Sequence, residues 1–126
     1  MNALNQSVLI VDDEFLISAH FSALVEDMGL AVCAIAETAA DALTCAQTHR
    51  PKVVLMDVRL RGEADGVDAA IGIHDLVGSK VIFITGSREQ ATIDRINSDH
   101  PFATLFKPVA DETLKMTIES ALSDGR

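Results

Sequence analysis

Two apolar runs in this chain end in acids. Val8-Leu9-Ile10-Val11 leads into Asp12-Asp13-Glu14, and Val53-Val54-Leu55-Met56, just after Pro51-Lys52, leads into Asp57. Continuous apolar runs of this length read as strands covered on both faces. Acids at their C-terminal ends would stand where open α/β sheets place a binding crevice. Like charges crowded there are unfavourable unless a cation joins them, which points to a divalent-metal site. Two more strand ends bring polar groups to the same edge: Thr85 after Val81–Ile84, and Lys107 after Phe102–Phe106. Three carboxylates suit a hard cation such as Mg²⁺, while a hydroxyl and an ammonium suit the oxygens of a phosphoryl group. An aspartate beside Mg²⁺ can itself be the nucleophile that accepts a phosphoryl group, with metal and lysine stabilising charge on the transferring oxygens.

The elements that must position these groups alternate. Residues 1–6 are polar and read as a loose terminus; 7–11 form the first strand. Asp12 or Asp13 is expected to cap a helix from Glu14 to Met28, with Ile17, Phe21, Leu24, Val25 and Met28 inward and Ser18, Glu26 and Asp27 outward. Leu30–Ile35 is a strand, and Thr38–Thr48 an alanine-rich helix burying Ala39, Ala42, Leu43 and Ala46. After Asp57, residues 58–66 form a loop, followed by helices over Val67–Leu76, Arg88–Ser98 and Ala110–Leu122. The Arg88–Ser98 helix is poor in apolar residues (Ala91, Ile93, Ile96), which suggests a mobile or partner-facing element. Five βα units imply α/β architecture: one doubly wound, five-stranded parallel sheet in a single domain spanning residues 1–126.

Composition narrows the function. The 126 residues suffice for one domain with a core, and 48% hydrophobic content excludes a disordered chain. A formal charge of −9 repels nucleic acid and anionic membrane, so neither is expected as a partner. No apolar run reaches the ~18 residues of a membrane span. Cys33 and Cys45 have no metal-type spacing and read as reduced thiols of a cytoplasmic protein, in which the Asn5-Gln6-Ser7 sequon is accidental. Trp and Tyr are absent, so an aromatic platform for bases or sugars is not expected.

Asp12-Asp13, Asp57, Thr85 and Lys107-Pro108, each at the matching strand end, make the chain resemble a receiver domain of the two-component response regulators along its whole length. The resemblance implies a stand-alone, CheY-like, flavodoxin-like (βα)5 fold with strand order 2-1-3-4-5 and no output domain. It implies that Asp57 is the phospho-acceptor, and that Asp13, Asp57 and the backbone carbonyl of Arg59 ligate Mg²⁺ directly, with Asp12 acting partly through metal-bound water. Lys107 would contact the phosphoryl group and Thr85 would move to bind it. The Lys107–Pro108 bond would be cis. The donor would be a phosphohistidine on a sensor histidine kinase or histidine phosphotransfer protein. The chain would catalyse only its own phosphorylation and slow dephosphorylation, and would signal to an unknown downstream protein or shuttle and drain phosphoryl groups. The fourth-helix, fifth-strand and fifth-helix face would be the output surface. Thr104 stands where the family usually has an aromatic switch residue. Phe83-Ile84-Thr85-Gly86 resembles a subgroup with Phe-Ala-Thr-Gly that also lacks the aromatic.

Plainer readings stand beside these. Asp12 alone could be a helix cap, Thr85 a loop hydroxyl, Lys107 a surface lysine. Asp65 and Asp68 read as helix-start acids, and Glu14 as the same or as a rim group. His20, His49, His74 and His100 lack ligand spacing and are expected at the surface. Arg59 and Ser87 are either exposed loop residues or, by the resemblance, governors of water access to the phosphoryl group. Phe106 shares a side of its strand with Thr104; it is core beneath the last helix or part of a partner patch, and we take core. Three rivals remain. A phosphatase with an aspartate nucleophile would need an acid where Arg59 stands. A flavin module would need a phosphate loop where the acids Asp12 to Glu14 stand. A receiver that signals without phosphorylation would not require the full set of five site residues.

Overall fold

A computed structural model describes residues 6–124. The terminus read over residues 1–6 and the sequon at Asn5 therefore fall outside the described residues, except for Gln6 and Ser7. Strands and helices alternate throughout: β1 (Ser7–Val11), α1 (Phe15–Asp27), β2 (Ala31–Ala36), α2 (Ala39–His49), β3 (Val53–Met56), α3 (Gly66–Leu76), β4 (Lys80–Thr85), α4 (Gln90–Asn97), β5 (Ala103–Phe106) and α5 (Asp111–Ser123). All pairings are parallel, as the alternation of elements predicts, and the sheet order is β2-β1-β3-β4-β5, as the resemblance implied.

Strand alternation divides the core into two layers. Leu9, Val11, Val54, Met56, Val81 and Phe83 face α2, α3 and the single buried side chain of α4, Ile96. Val8, Ile10, Val53, Leu55, Ile82 and Ile84 face α1 and α5. The central strands are buried on both sides because helices cover both faces, which is why their sequences run apolar without interruption. Parallel register then sets the strand ends side by side: Val11 opposite Met56, Met56 opposite Phe83, and Thr85 opposite Phe106.

Several expectations need correction. The N-cap of α1 is Glu14 and makes no side-chain cap bond; Asp12 instead accepts the Glu14 N–H at 2.9 Å from outside the helix. Ser18, expected outside, is buried, and its hydroxyl is satisfied by donating to the Phe15 carbonyl at 3.1 Å. A small hydroxyl that bonds its own helix can enter the core without an unpaired polar atom. His74, expected at the surface, is half-buried and pairs through Nδ1 with Asp99 at 2.7 Å. Phe106 is not core beneath α5. It is half-buried on the opposite face of β5, where the Arg88 guanidinium lies 4.3 Å from its ring centre. Ala103 and Leu105, of the other parity, are the β5 residues that pack with the α1 and α5 layer.

Candidate phosphoryl-acceptor site

The fold delivers Asp12, Asp13, Asp57, Thr85 and Lys107 to one edge. Main-chain bonds extend the sheet just past the strand ends: Asp57 N–H donates to Val11 O (2.9 Å), Asp12 N–H to Ala36 O (3.0 Å) and Lys107 N–H to Thr85 O (2.9 Å). Asp12, Asp57, Thr85 and Lys107 are therefore held by ladder bonds rather than by loose loops. The Lys107–Pro108 bond is cis, as the resemblance implied.

Asp12, Asp13 and Asp57 each bring a carboxylate oxygen within 4.8 Å of the other two. Asp12 and Asp57 are buried and Asp13 half-buried, so one cation could touch all three from the open side. Lys107 Nζ lies 3.0 Å from Asp12 Oδ2, 3.5 Å from Asp57 Oδ2 and 3.8 Å from Glu14 Oε1. Glu14, at the N-cap position of α1, thus turns its acid to the rim of this site rather than to the helix. One ammonium does not neutralise this cluster of acids, and the excess negative charge is the electrostatic argument for a divalent ion. These residues fit Mg²⁺: hard oxygen donors on one side and a solvent-open cleft for the waters that Mg²⁺ keeps.

Burial pushes the Asp57 carboxyl up to about 6; the Lys107 charge opposes that rise and the Asp12 charge adds to it. Burial pulls Lys107 down, but the hydrogen bond to Asp12 and the charges of Asp57, Asp12 and Glu14 outweigh it, so its ammonium is held above the ordinary value. Asp57 Oδ1 accepts the Val58 N–H at 2.9 Å, while Oδ2 faces Lys107. Thr85 is buried, and its hydroxyl accepts the Ser87 N–H at 3.0 Å. A cleft of about 650 Å³ opens over these groups and is also lined by Arg59, Ser87 and Arg88. Such a cleft, with a nucleophilic carboxylate at its floor and cations around it, can receive a phosphoryl group.

Three features were not read from the sequence. Gly66 is required because a Cβ there would sit 1.9 Å from the Asp57 carbonyl oxygen. Its sequence signal was a glycine directly after the helix-start acid Asp65. The Arg88–Phe106 stack and the Arg95–Asp65 pair join segments far apart in the chain and left no local signal.

Comparisons with known proteins agree with this geometry. Residues 8–119 match the response regulator receiver domain family. The chain is 30% identical over 123 residues to the polar-differentiation response regulator DivK of Brucella anthropi, covering 95% of this chain and 98% of that one. It is 29% identical over 124 residues to the transcriptional regulatory protein PdtaR of Mycobacterium tuberculosis, covering 98% of this chain. The chain spans only 60% of the length of PdtaR. Among solved structures, the signal receiver domain of a modulated diguanylate cyclase from Desulfovibrio desulfuricans matches with a TM-score of 0.87 at 36% identity, covering 92% of each chain. The PhyR receiver domain of Erythrobacter litoralis matches with a TM-score of 0.83 at 31% identity, covering 96% of this chain and 93% of that one. Carboxylates converging on one sheet edge, the strand order that brings them there and the match over residues 8–119 lead to the same conclusion: this chain belongs to the response regulator receiver domain family of two-component systems.

Proposed function

We propose that Asp57 is the residue that accepts the phosphoryl group, from a phosphohistidine on a sensor kinase or phosphotransfer protein. The observation that carries this is the asymmetry of its two oxygens. Oδ1 is occupied by the Val58 N–H, and Oδ2 faces Lys107 at 3.5 Å beside the open cleft. In the transfer, a lone pair on an Asp57 oxygen forms the O–P bond as the histidine N–P bond breaks, and the electron pair leaves with the imidazole nitrogen. Lys107 offers charge to the phosphoryl oxygens, and Thr85, whose hydroxyl oxygen accepts the Ser87 N–H, keeps its O–H to donate to them. Asp12, Asp13 and Asp57, with the Arg59 carbonyl, would hold Mg²⁺, which when bound neutralises the carboxylates and the incoming phosphoryl charge.

A protein donor also needs a surface beside the cleft. Phe15 and Leu16 are 78% and 80% exposed at the start of α1, next in sequence to Asp13 and Glu14. Large exposed apolar side chains at the rim of a polar site mark a contact surface. Arg59 stands two residues past Asp57, where an aspartate-nucleophile phosphatase would carry its general acid–base. The chain therefore catalyses only its own phosphorylation and a slow loss of the group. Incubation with acetyl phosphate and Mg²⁺ is expected to add one phosphoryl group by intact mass, and Asp57→Asn to abolish the gain. Absence of any gain with acetyl phosphate or a phosphoramidate overturns the reading.

A further inference from the structure

α4 is tied to the sheet by little apolar surface, since Ile96 is its one buried residue. Its Arg95 makes a second, directional attachment elsewhere. Nη1 donates to Asp65 Oδ2 at 2.6 Å, Nη2 to Asp65 Oδ1 at 3.3 Å, and Nη2 lies 3.5 Å from Asp68 Oδ1. A two-pronged guanidinium–carboxylate contact fixes both distance and orientation, which a lysine could not do. Asp65 is also the N-cap of α3. Its Oδ1 accepts the N–H of Val67 (3.0 Å) and of Asp68 (3.1 Å), and Asp68 Oδ2 accepts the Asp65 N–H at 3.0 Å. Burial raises the Asp65 carboxyl, but the Arg95 bond, the Asp68 N–H and the Arg95 charge outweigh it and hold the group below the usual carboxylate range.

The next residue reaches the acceptor. Gly66 N–H donates to Val58 O at 2.7 Å, and its Cα is pressed so close to the Asp57 carbonyl that no Cβ would fit. Val58 N–H in turn donates to Asp57 Oδ1 at 2.9 Å. An unbroken line therefore runs from the Asp57 carboxylate through Val58, Gly66 and Asp65 to Arg95 on α4, each step a peptide unit or a hydrogen bond. It does not pass through β5, where Thr104 stands.

We infer that Arg95 is a positioning residue that locks α4 to the acceptor loop, so that modification of Asp57 and the state of α4 are coupled through the Arg95–Asp65 contact. This inference rests on Asp57 being the acceptor. Phosphoryl transfer to Oδ2 makes Asp57 an acyl phosphate, so Oδ1 becomes a neutral carbonyl that holds the Val58 N–H more weakly than a carboxylate does, and the 58–66 segment shifts in response. Asp65 moves as part of that segment, and Arg95 transmits the movement to α4. By reciprocity, freeing α4 changes the affinity of the site for a phosphoryl group by the same factor.

The test compares wild type, Arg95→Ala and Arg95→Lys, each with Mg²⁺. Intact mass after acetyl phosphate reports acceptance; amide hydrogen exchange over residues 90–97, with and without beryllofluoride, reports α4; a beryllofluoride titration reports affinity. In the wild type, beryllofluoride is expected to change exchange in α4 by at least about fivefold. Arg95→Ala is expected to abolish that change and shift beryllofluoride affinity by a similar factor, while Asp57 still gains mass. Arg95→Lys keeps the charge but not the two-pronged contact, so it restores only part of the response; it also serves if the alanine variant is poorly folded. No mass gain in the wild type overturns both the acceptor reading and this one. A mass gain with an α4 response equal in all three proteins overturns the coupling alone.

Discussion

Replacing Asp57 with asparagine should stabilise the metal-free protein, and by an amount that depends on pH. Asp57 is buried, and its carboxyl is raised from 3.8 to about 6 because burial disfavours the charged form. A raised carboxylate means that the folded state binds more protons than the unfolded one between those values. The stability this confers is full below about pH 4 and is lost as pH rises through 6. At pH 7 the ionised group costs about 3 kcal/mol if the whole difference is felt. Water entering the cleft and movement of Lys107 towards the charge reduce that, so Asn is expected to stabilise by about 1–3 kcal/mol. Asn matches the shape of the acid and can still accept the Val58 N–H through its carbonyl oxygen. The assay is urea unfolding in the presence of a chelator, at half-unit steps from pH 4 to 8, on wild type and Asp57→Asn. The two curves should converge near pH 4 and separate by pH 7. A variant less stable than wild type at pH 7, or a difference that does not change with pH, would refute the burial account of this site.

Mg²⁺ should act in the same direction as the asparagine. At one hundred times its dissociation constant it should stabilise the wild type by about 2.7 kcal/mol, an effect read as a rise in melting temperature that a chelator reverses and that Asp13→Asn weakens. Lys107→Met removes the ammonium from between Asp12 and Asp57. The Asp57 carboxyl should then titrate above 6, visible in carboxyl carbon NMR, and the metal-free fold should lose about 2 kcal/mol; an unchanged titration would contradict the assignment of Lys107. Gly66→Ala forces a methyl against the Asp57 carbonyl oxygen and Met56. Thermal unfolding should show a loss of about 3 kcal/mol or more, whereas a loss well under 1 kcal/mol would mean that α3 can retreat from β3. Serine at both Phe15 and Leu16 should slow transfer from a phosphohistidine protein while leaving acetyl phosphate transfer unchanged, and equal slowing with both donors would remove these residues from the docking surface.

Most of the architecture was legible because buried parallel strands leave a pattern that short-range sequence carries. Four or five apolar residues in a row can be covered only from both sides, and the residue after such a run must lie at the sheet's edge. Asp12, Asp57, Thr85 and Lys107 were found that way, each by its place after a strand. Less legible were residues whose burial depends on a partner far along the chain. Ser18 looked polar and therefore external, yet it satisfies itself on Phe15 O and faces inward. His74 looked like a surface histidine until Asp99 was placed beside it. Phe106 shows the limit of alternation: parity put it with Thr104, but not which layer of helices lay on that side. β5 is an edge strand with one neighbour, so its residues stay half-exposed and carry no clear apolar pattern.

The sequence by itself determined the order of elements, the two-sided sheet and the identity of the groups at the C-terminal ends of its strands, because all of these depend on side-chain type and spacing within a few residues. Only the tertiary structure decided how those groups influence one another. The raised carboxyl of Asp57, the ammonium shared by Asp12 and Asp57, the fit of Gly66 and the hold of Arg95 on Asp65 all depend on distances between segments about 10 to 95 residues apart. Electrostatic strength and packing clearance vary steeply over an ångström or two, and sequence spacing does not specify distance on that scale.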